Sequence, residues 1–245
     1  MKEVRFFYVP DANSVHELPE EEAQHAVRVL RMTSGDEMML MDGCGTFYRA
    51  TVTEATKKRC LYRIEEALPQ QRQWQPQLHL AVAPTKNMDR IEWLAEKATE
   101  IGFDELTFLN CRWSERTVVK TERVDKILVS AMKQSHKAWK PVLNEMIDFK
   151  SFIRQMEQRI QQQPLQKFIC HCYDEPELGD KQLLKDVLLP GKDALVLVGP
   201  EGDFSIDEVK LALSCGFVPV TLGQSRLRTE TAALVAVHLM NLANQ

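Results

Sequence analysis

The chain has 245 residues, 44% of them hydrophobic and 27% charged, with a formal net charge of −4. This is the composition of a folded globular protein with room for one large domain or two unequal ones; it excludes a disordered chain and one coated in basic surface. No apolar run reaches the ~18–20 residues that a membrane span needs, and charges fall within Met1-Lys2-Glu3-Val4-Arg5-Phe6-Phe7, where an export signal would be apolar.

The first part reads as strands. Residues 4–9, 37–41, 47–52 and 59–64 are strand-like, and Arg49-Ala50-Thr51-Val52 and Cys60-Leu61-Tyr62-Arg63-Ile64 alternate in polarity as half-buried strands do. Asp42-Gly43 marks a tight turn. One helix interrupts, opened by Pro19 and carrying Glu20, Glu21 and Glu22 in its first turn, where the helix dipole favours acids. The pattern predicts a small β-barrel with one helix over residues 1–70. Residues 69–76 are polar, proline-flanked and aperiodic, so 71–77 reads as a linker.

From Leu78 strands alternate with helices, which predicts an α/β domain with a mostly parallel sheet over residues 78–245. A strand at 78–83 precedes an amphipathic helix at 89–101, with Ile91, Leu94, Ala95, Ala98 and Ile101 on one face and Gly102 as its stop. A strand at 105–109 and a helix over 123–139 follow. Residues 112–140 carry Arg112, Arg116, Lys120, Arg123, Lys126, Lys133, Lys137 and Lys140 against only Glu115, Glu122 and Asp125, with Trp113, His136 and Trp139 interleaved. Such a mixture suits either an RNA surface with stacking rings or a solvated helix face with core tryptophans. Further helix and strand signals fall at 149–161, 167–172 and 180–188. The six cysteines are scattered, and Cys170-His171-Cys172 lies in a strand-like run without metal-ligand spacing. They read as buried, reduced thiols of a cytoplasmic protein with no metal.

The chemistry concentrates at two strand ends. A strand at 194–198 runs into Gly199-Pro200-Glu201-Gly202-Asp203-Phe204, followed by a helix that Ser205 and Glu208 open at capping-box spacing. The glycine spacing is neither a P-loop nor a dinucleotide fingerprint, and the loop alone would pass for a tight turn. A second strand, 218–222, ends in Gly223-Gln224-Ser225-Arg226-Leu227-Arg228-Thr229-Glu230-Thr231, ahead of a helix over 232–243 that is apolar around most of its circumference. Such a helix belongs in the middle of a fold or at a subunit interface. In open α/β sheets, ligands sit outside the carboxyl ends of the strands, where both loops would lie.

Leu197-Val198-Gly199-Pro200-Glu201-Gly202, Leu222-Gly223 and Leu227-Arg228-Thr229-Glu230-Thr231-Ala232 resemble the SPOUT, or α/β-knot, methyltransferases. Within that class the chain is most similar to the RsmE family, which methylates N3 of a uridine in 16S ribosomal RNA. The resemblance extends to His25-Ala26-Val27-Arg28-Val29-Leu30-Arg31, Gly35-Asp36 and Asp42-Gly43, like that family's PUA-like RNA-binding domain. It continues through Lys86, Met88-Asp89-Arg90-Ile91-Glu92-Trp93, Lys97-Ala98-Thr99-Glu100-Ile101-Gly102, Ser114-Glu115-Arg116 and Gln134-Ser135. The chain departs from the family where Asp203 replaces a glycine, Gln224-Ser225 a proline-centred loop, and His136-Lys137 a Gly-Arg pair.

The resemblance implies a C-terminal trefoil knot, a homodimer, ribosomal RNA or the small ribosomal subunit as partner, and S-adenosyl-L-methionine as cofactor. The cofactor would lie among Leu197, Val198, Gly199, Pro200, Glu201 and Gly202, then Leu222 and Gly223, then Leu227, Arg228, Thr231 and Ala232. Loss of the uridine N3 proton calls for a base and for a cation beside the uracil oxygens. Arg228 is the candidate cation, and Glu230 or Glu201 the group that orients it or takes the proton; a structural Arg228–Glu230 ion pair is the competing reading. Arg28 and Arg31 of the barrel and Arg112, Arg116, Lys120, Lys126 and Lys137 of the basic segment would hold RNA. Other outcomes are a knotted enzyme acting on a ribose 2′-hydroxyl or a tRNA base, and a non-catalytic RNA-binding assembly factor.

Overall fold

The computed structural model describes residues 4–160 and 164–245; Gln161, at the end of one predicted segment, lies outside them. Two compact units emerge, Met1–Arg72 with Val129–Lys140, and Gln73–Leu128 with Pro141–Gln245.

In the first unit, β1 (Phe6–Tyr8), β2 (Glu37–Met41), β3 (Thr46–Ala55) and β4 (Cys60–Pro69) form one sheet in that order. β1 runs parallel to β2 and the other pairs are antiparallel. Period-two alternation sends Met38, Leu40, Tyr48, Ala50, Val52, Cys60 and Tyr62 into one core. Asp42 makes the β2–β3 turn by accepting from the backbone N–H groups of Cys44 (2.7 Å) and Thr46 (3.0 Å). The helix announced by Pro19 is α1 (Glu20–Gln24), which continues into a π-helical turn over His25–Val29.

In the second unit, β5 (Leu78–Val82) leads into α2 (Met88–Ile101), then β6 (Glu105–Asn110), α3 (Thr121–Gln134), β7 (Val142–Asp148), α4 (Phe149–Ile160) and β8 (Leu165–Cys170). The short β9 (Gln182–Leu183) and α5 (Leu184–Val187) precede β10 (Asp193–Val198), α6 (Ile206–Ser214), β11 (Val218–Thr221) and α7 (Thr229–Leu242). The seven strands pair in the order β7-β6-β5-β10-β8-β11-β9, every pair parallel. Both faces are covered, which is why β5 and β10 read as unbroken apolar runs. Leu78, Leu80, Val82, Ala194 and Val196 face α2, α3 and α7, while Ala81, Leu195 and Leu197 face α4 and α6.

Several elements differ from the sequence expectation. The predicted helix over 123–139 stops at Gln134 because His136 takes a left-handed backbone, φ 52°. Ser135 Oγ donates to the Ala131 carbonyl, and the Lys137 N–H closes back onto that of Met132. Residues 129–134 of α3 belong with the first unit. β7 has no clean period-two pattern: it is an edge strand paired only with β6, and its side chains are half-buried or exposed. α7 begins three residues before its apolar stretch, with Glu230 in the first turn where the dipole favours an acid. Nor is α7 buried on all sides. Ala233, Ala236, Val237 and Met240 are enclosed, but His238 and Leu242 are exposed and Val235 and Leu239 are half-covered. Trp74, in the stretch read as a linker, packs on Gly102 and donates its indole N–H to Asp104 at 2.8 Å.

Candidate functional site

β10, β8 and β11 are neighbours, so three loops leave the sheet side by side at the strands' carboxyl ends. Together they enclose a cavity of about 1140 Å³ within the second unit. Val198, Gly199, Pro200 and Glu201 line it from the β10 loop, Leu222, Gly223, Leu227 and Arg228 from the β11 loop, and Glu230 and Ala232 from the first turn of α7. The two glycine-bearing turns identified in sequence thus share one pocket. Leu197 does not line it: its side chain is fully buried in the core beneath β10. Gly202 and Thr231 are not among the lining residues either. Gly202 instead gives room to Trp113, whose Cβ would lie 3.2 Å from a Cβ placed there.

Local sequence explains the loop shapes. Gly223 has φ 133° with open space where a side chain would project, and Thr221 Oγ1 pins the turn by donating to the Gly223 carbonyl at 2.8 Å. Ser205 and Glu208 form a full capping box at the start of α6. Glu208, buried, also accepts the Arg112 N–H at 2.8 Å.

The three candidate reacting groups sit in different settings. Arg228 is the exposed N-cap of α7. Glu230 is buried; one carboxylate oxygen lies 3.7 Å from Arg90 Nε, and the other has no hydrogen-bond partner among the described residues. The ion pair of Glu230 is therefore with Arg90 of α2 rather than with Arg228. Glu201 is exposed and accepts the Lys86 N–H at 2.9 Å, tying the β10 loop to the turn before α2.

Sequence reasoning missed a third wall, the segment after β8. Cys170, His171, Cys172, Asp174, Asp180, Lys181 and Leu183 all line the cavity. Asp203, at φ 67°, fastens this wall by accepting from the N–H groups of Cys172 and Phe204, both at 2.7 Å. Burial and the Lys181 ammonium push the His171 imidazole below its ordinary pKa. Burial pushes the Cys170 thiol up to about 12. Not every thiol is buried as expected: Cys60 and Cys111 are, while Cys44 and Cys172 are exposed, and all six cysteines are free. No His/Cys/Asp/Glu group able to hold a metal occurs among the described residues, and no described helix is long and apolar enough to cross a membrane.

The candidate RNA contacts divide. Lys120, Lys126 and Arg112 are exposed, Arg112 lying over the Trp113 ring at 5.5 Å. Arg116 is half-buried, its guanidinium donating to the carbonyls of Thr85 (3.3 Å) and Lys86 (2.5 Å). In the first unit Arg28 and Arg31 are exposed around the π-helical turn. Lys137 is half-buried, and desolvation lowers its pKa. Of the three interleaved rings, Trp113 is 52% exposed, whereas Trp139 packs on Gly45 and His136 stacks on Phe6 at 4.2 Å.

A family model described as an RNA methyltransferase domain matches residues 72–241, and one described as an RNA methyltransferase PUA domain matches residues 18–65. The chain belongs to the RNA methyltransferase family. Among relatives of this methyltransferase, the ribosomal RNA small subunit methyltransferase E of Synechocystis is 31% identical, over 87% of this chain and 68% of that protein. The crystal structure of a probable rRNA-methyltransferase from Porphyromonas gingivalis is 40% identical with a TM-score of 0.88, covering 98% of both chains. That of the Neisseria gonorrhoeae ribosomal RNA small subunit methyltransferase E bound to S-adenosyl methionine is 26% identical with a TM-score of 0.80, again over 98% of both.

Proposed function

We propose that this RNA methyltransferase transfers a methyl group from S-adenosylmethionine to N3 of a uridine in 16S ribosomal RNA, acting in the cytoplasm. The observation that carries the reading is the single cavity in which both glycine-bearing loops meet Arg228 and Glu230. The residues present fit the cofactor. Gly223 leaves open space beside exposed backbone, Val198, Leu222 and Leu227 offer apolar contact, and a buried carboxylate oxygen awaits a donor. When bound, the cofactor supplies an electrophilic methyl on a sulfonium.

The protein's part is to hold the base and manage its proton. Arg228, exposed at the cavity wall, places a cation where negative charge develops on the uracil oxygens. Glu230 is the better proton acceptor of the two acids, because it lines the cavity with one carboxylate oxygen that has no partner among the described residues, while Glu201 is engaged with the Lys86 backbone. Arg90 steadies Glu230. Exposed Arg28, Arg31, Arg112, Lys120 and Lys126 gather the RNA by its phosphates. The second protomer of a homodimer covers the exposed His238 and Leu242 of α7.

Methyl transfer to small-subunit ribosomal RNA, followed by digestion and mass spectrometry, should yield N3-methyluridine. A ribose-methylated nucleoside, or methylation of tRNA alone, would replace this reading with the related one. Failure to bind S-adenosylmethionine in calorimetry would replace it with a non-catalytic RNA-binding role. Arg228→Ala should slow single-turnover transfer about 100-fold at saturating cofactor; a normal rate would remove Arg228 from the chemistry. Light scattering of the purified protein should give twice the chain mass, and a monomer would refute the dimer.

A further inference from the structure

We propose that the wall after β8 binds the amino-acid end of the cofactor, with His171 as its central hydrogen-bonding group. The inference rests on the reading of the cavity as an S-adenosylmethionine site and assigns a task to the segment that the two glycine loops leave over.

His171 is only 6% exposed and lines the cavity, yet neither ring nitrogen has a hydrogen-bond partner among the described residues. Buried polar atoms are almost always satisfied, so a side chain with two orphans in a cavity wall is built to meet a ligand. Burial and the nearby Lys181 keep the ring neutral. A neutral imidazole offers one N–H donor and one lone-pair acceptor. An α-amino acid needs that same pair, a donor for its carboxylate and an acceptor for its ammonium.

The charges around the ring agree. Lys181 gives two hydrogens, to the Tyr173 carbonyl at 2.8 Å and to Asp174 at 2.7 Å, and an ammonium has three. Asp203 accepts two backbone N–H groups and retains lone pairs. One cation, shared with Asp174, and two carboxylates thus surround a neutral ring, so Lys181 keeps one hydrogen for a carboxylate and Asp203 keeps lone pairs for an ammonium. The β11 side of the cavity brings Leu222, Leu227 and the open backbone of Gly223, suited to the adenosine half, beside the polar Thr221, Gln224, Ser225, Arg226 and Arg228.

Calorimetry with two probes separates the halves. S-adenosylhomocysteine carries the amino-acid end, and methylthioadenosine lacks it. His171→Phe should weaken S-adenosylhomocysteine at least tenfold and leave methylthioadenosine unchanged, while His171→Gln, which keeps a donor and an acceptor, should recover part of the loss. Equal weakening of both probes would place His171 against the adenosine half, and no weakening would make it structural; either overturns the proposal. If His171→Phe does not fold, Lys181→Met carries the same test, with the same selective loss expected and an equal or absent loss refuting it. Failure of the unaltered protein to bind S-adenosylmethionine or S-adenosylhomocysteine would instead sink the cofactor reading itself.

Discussion

Asp203 holds a left-handed backbone and ties two cavity walls together, and its replacement separates these two contributions. Its φ of 67° is a conformation that costs an ordinary L-residue about 1–2 kcal/mol. Its carboxylate accepts the N–H groups of Cys172 and Phe204 at 2.7 Å each. Hydrogen bonds to a charged acceptor contribute about 1.5–3 kcal/mol, and the low end applies to a half-buried group, so Asp203→Ala should lose about 3 kcal/mol. Asp203→Gly forfeits the same bonds but relieves the backbone strain. After roughly 0.5 kcal/mol is given back for the freer unfolded chain, glycine should be about 1 kcal/mol more stable than alanine. With a urea slope of about 2 kcal/mol per molar, the glycine midpoint should lie about 0.5 M above the alanine midpoint. Asp203→Asn, which tolerates this conformation and keeps one acceptor oxygen, should fall between the aspartate and the alanine proteins. Urea titrations followed by far-ultraviolet circular dichroism give all four midpoints. An alanine midpoint equal to or above that of glycine would refute the argument from backbone conformation.

Gly102→Ala should cost about 3 kcal/mol, because φ is 114° and the new Cβ would stand 2.4 Å from a Trp74 ring carbon whose indole is held by Asp104. A fall in melting temperature of roughly 6–12 °C is expected, and an unchanged one would contradict the close approach. His171 titrates in the folded chain below the value of about 6.5 that it has when unfolded. The unfolded chain therefore binds the extra proton between those two values, so this contribution to stability rises with pH up to about 6.5 and is level above it. His171→Gln should remove that rise, and urea midpoints that stay parallel from pH 5 to 7.5 would count against a buried, neutral ring. Lys120→Glu with Lys126→Glu, both exposed, should weaken RNA binding and flatten the plot of log affinity against log salt by about 2 or more. An unchanged slope would move the RNA path elsewhere.

What the sequence made legible follows from what each element buries. β5 and β10 are covered on both faces and announce themselves as apolar runs, and the two glycine turns at the ends of β10 and β11 are recognisable without coordinates. Strand order is another matter. That β8 lies between β10 and β11 is fixed by long-range pairing, so nothing local identifies the Cys170–Lys181 stretch as a wall of the same cavity. Its signal, an apolar run carrying His171, looks like any core strand until the ring is found without partners. Within the basic segment the individual settings are hidden for a similar reason: residue type does not reveal that Arg116 serves backbone carbonyls or that Trp139 is packed on Gly45. The left-handed turn at His136 has one signal, the glycine that the resembled family carries at that position, because positive φ is uncommon for other residues.

Neither unit is an unbroken length of chain. The first is whole only with Val129–Lys140, and the second draws its last helix from the final residues. As the polypeptide is made from its amino end, the four β-strands of the first unit are all present by Pro69, yet their unit waits some seventy residues more for its remaining piece. The cavity waits longer still, because Glu230 and Ala232 come from α7. A ribosome stalled anywhere before that helix would carry a chain with no finished pocket, however complete the sheet beneath it.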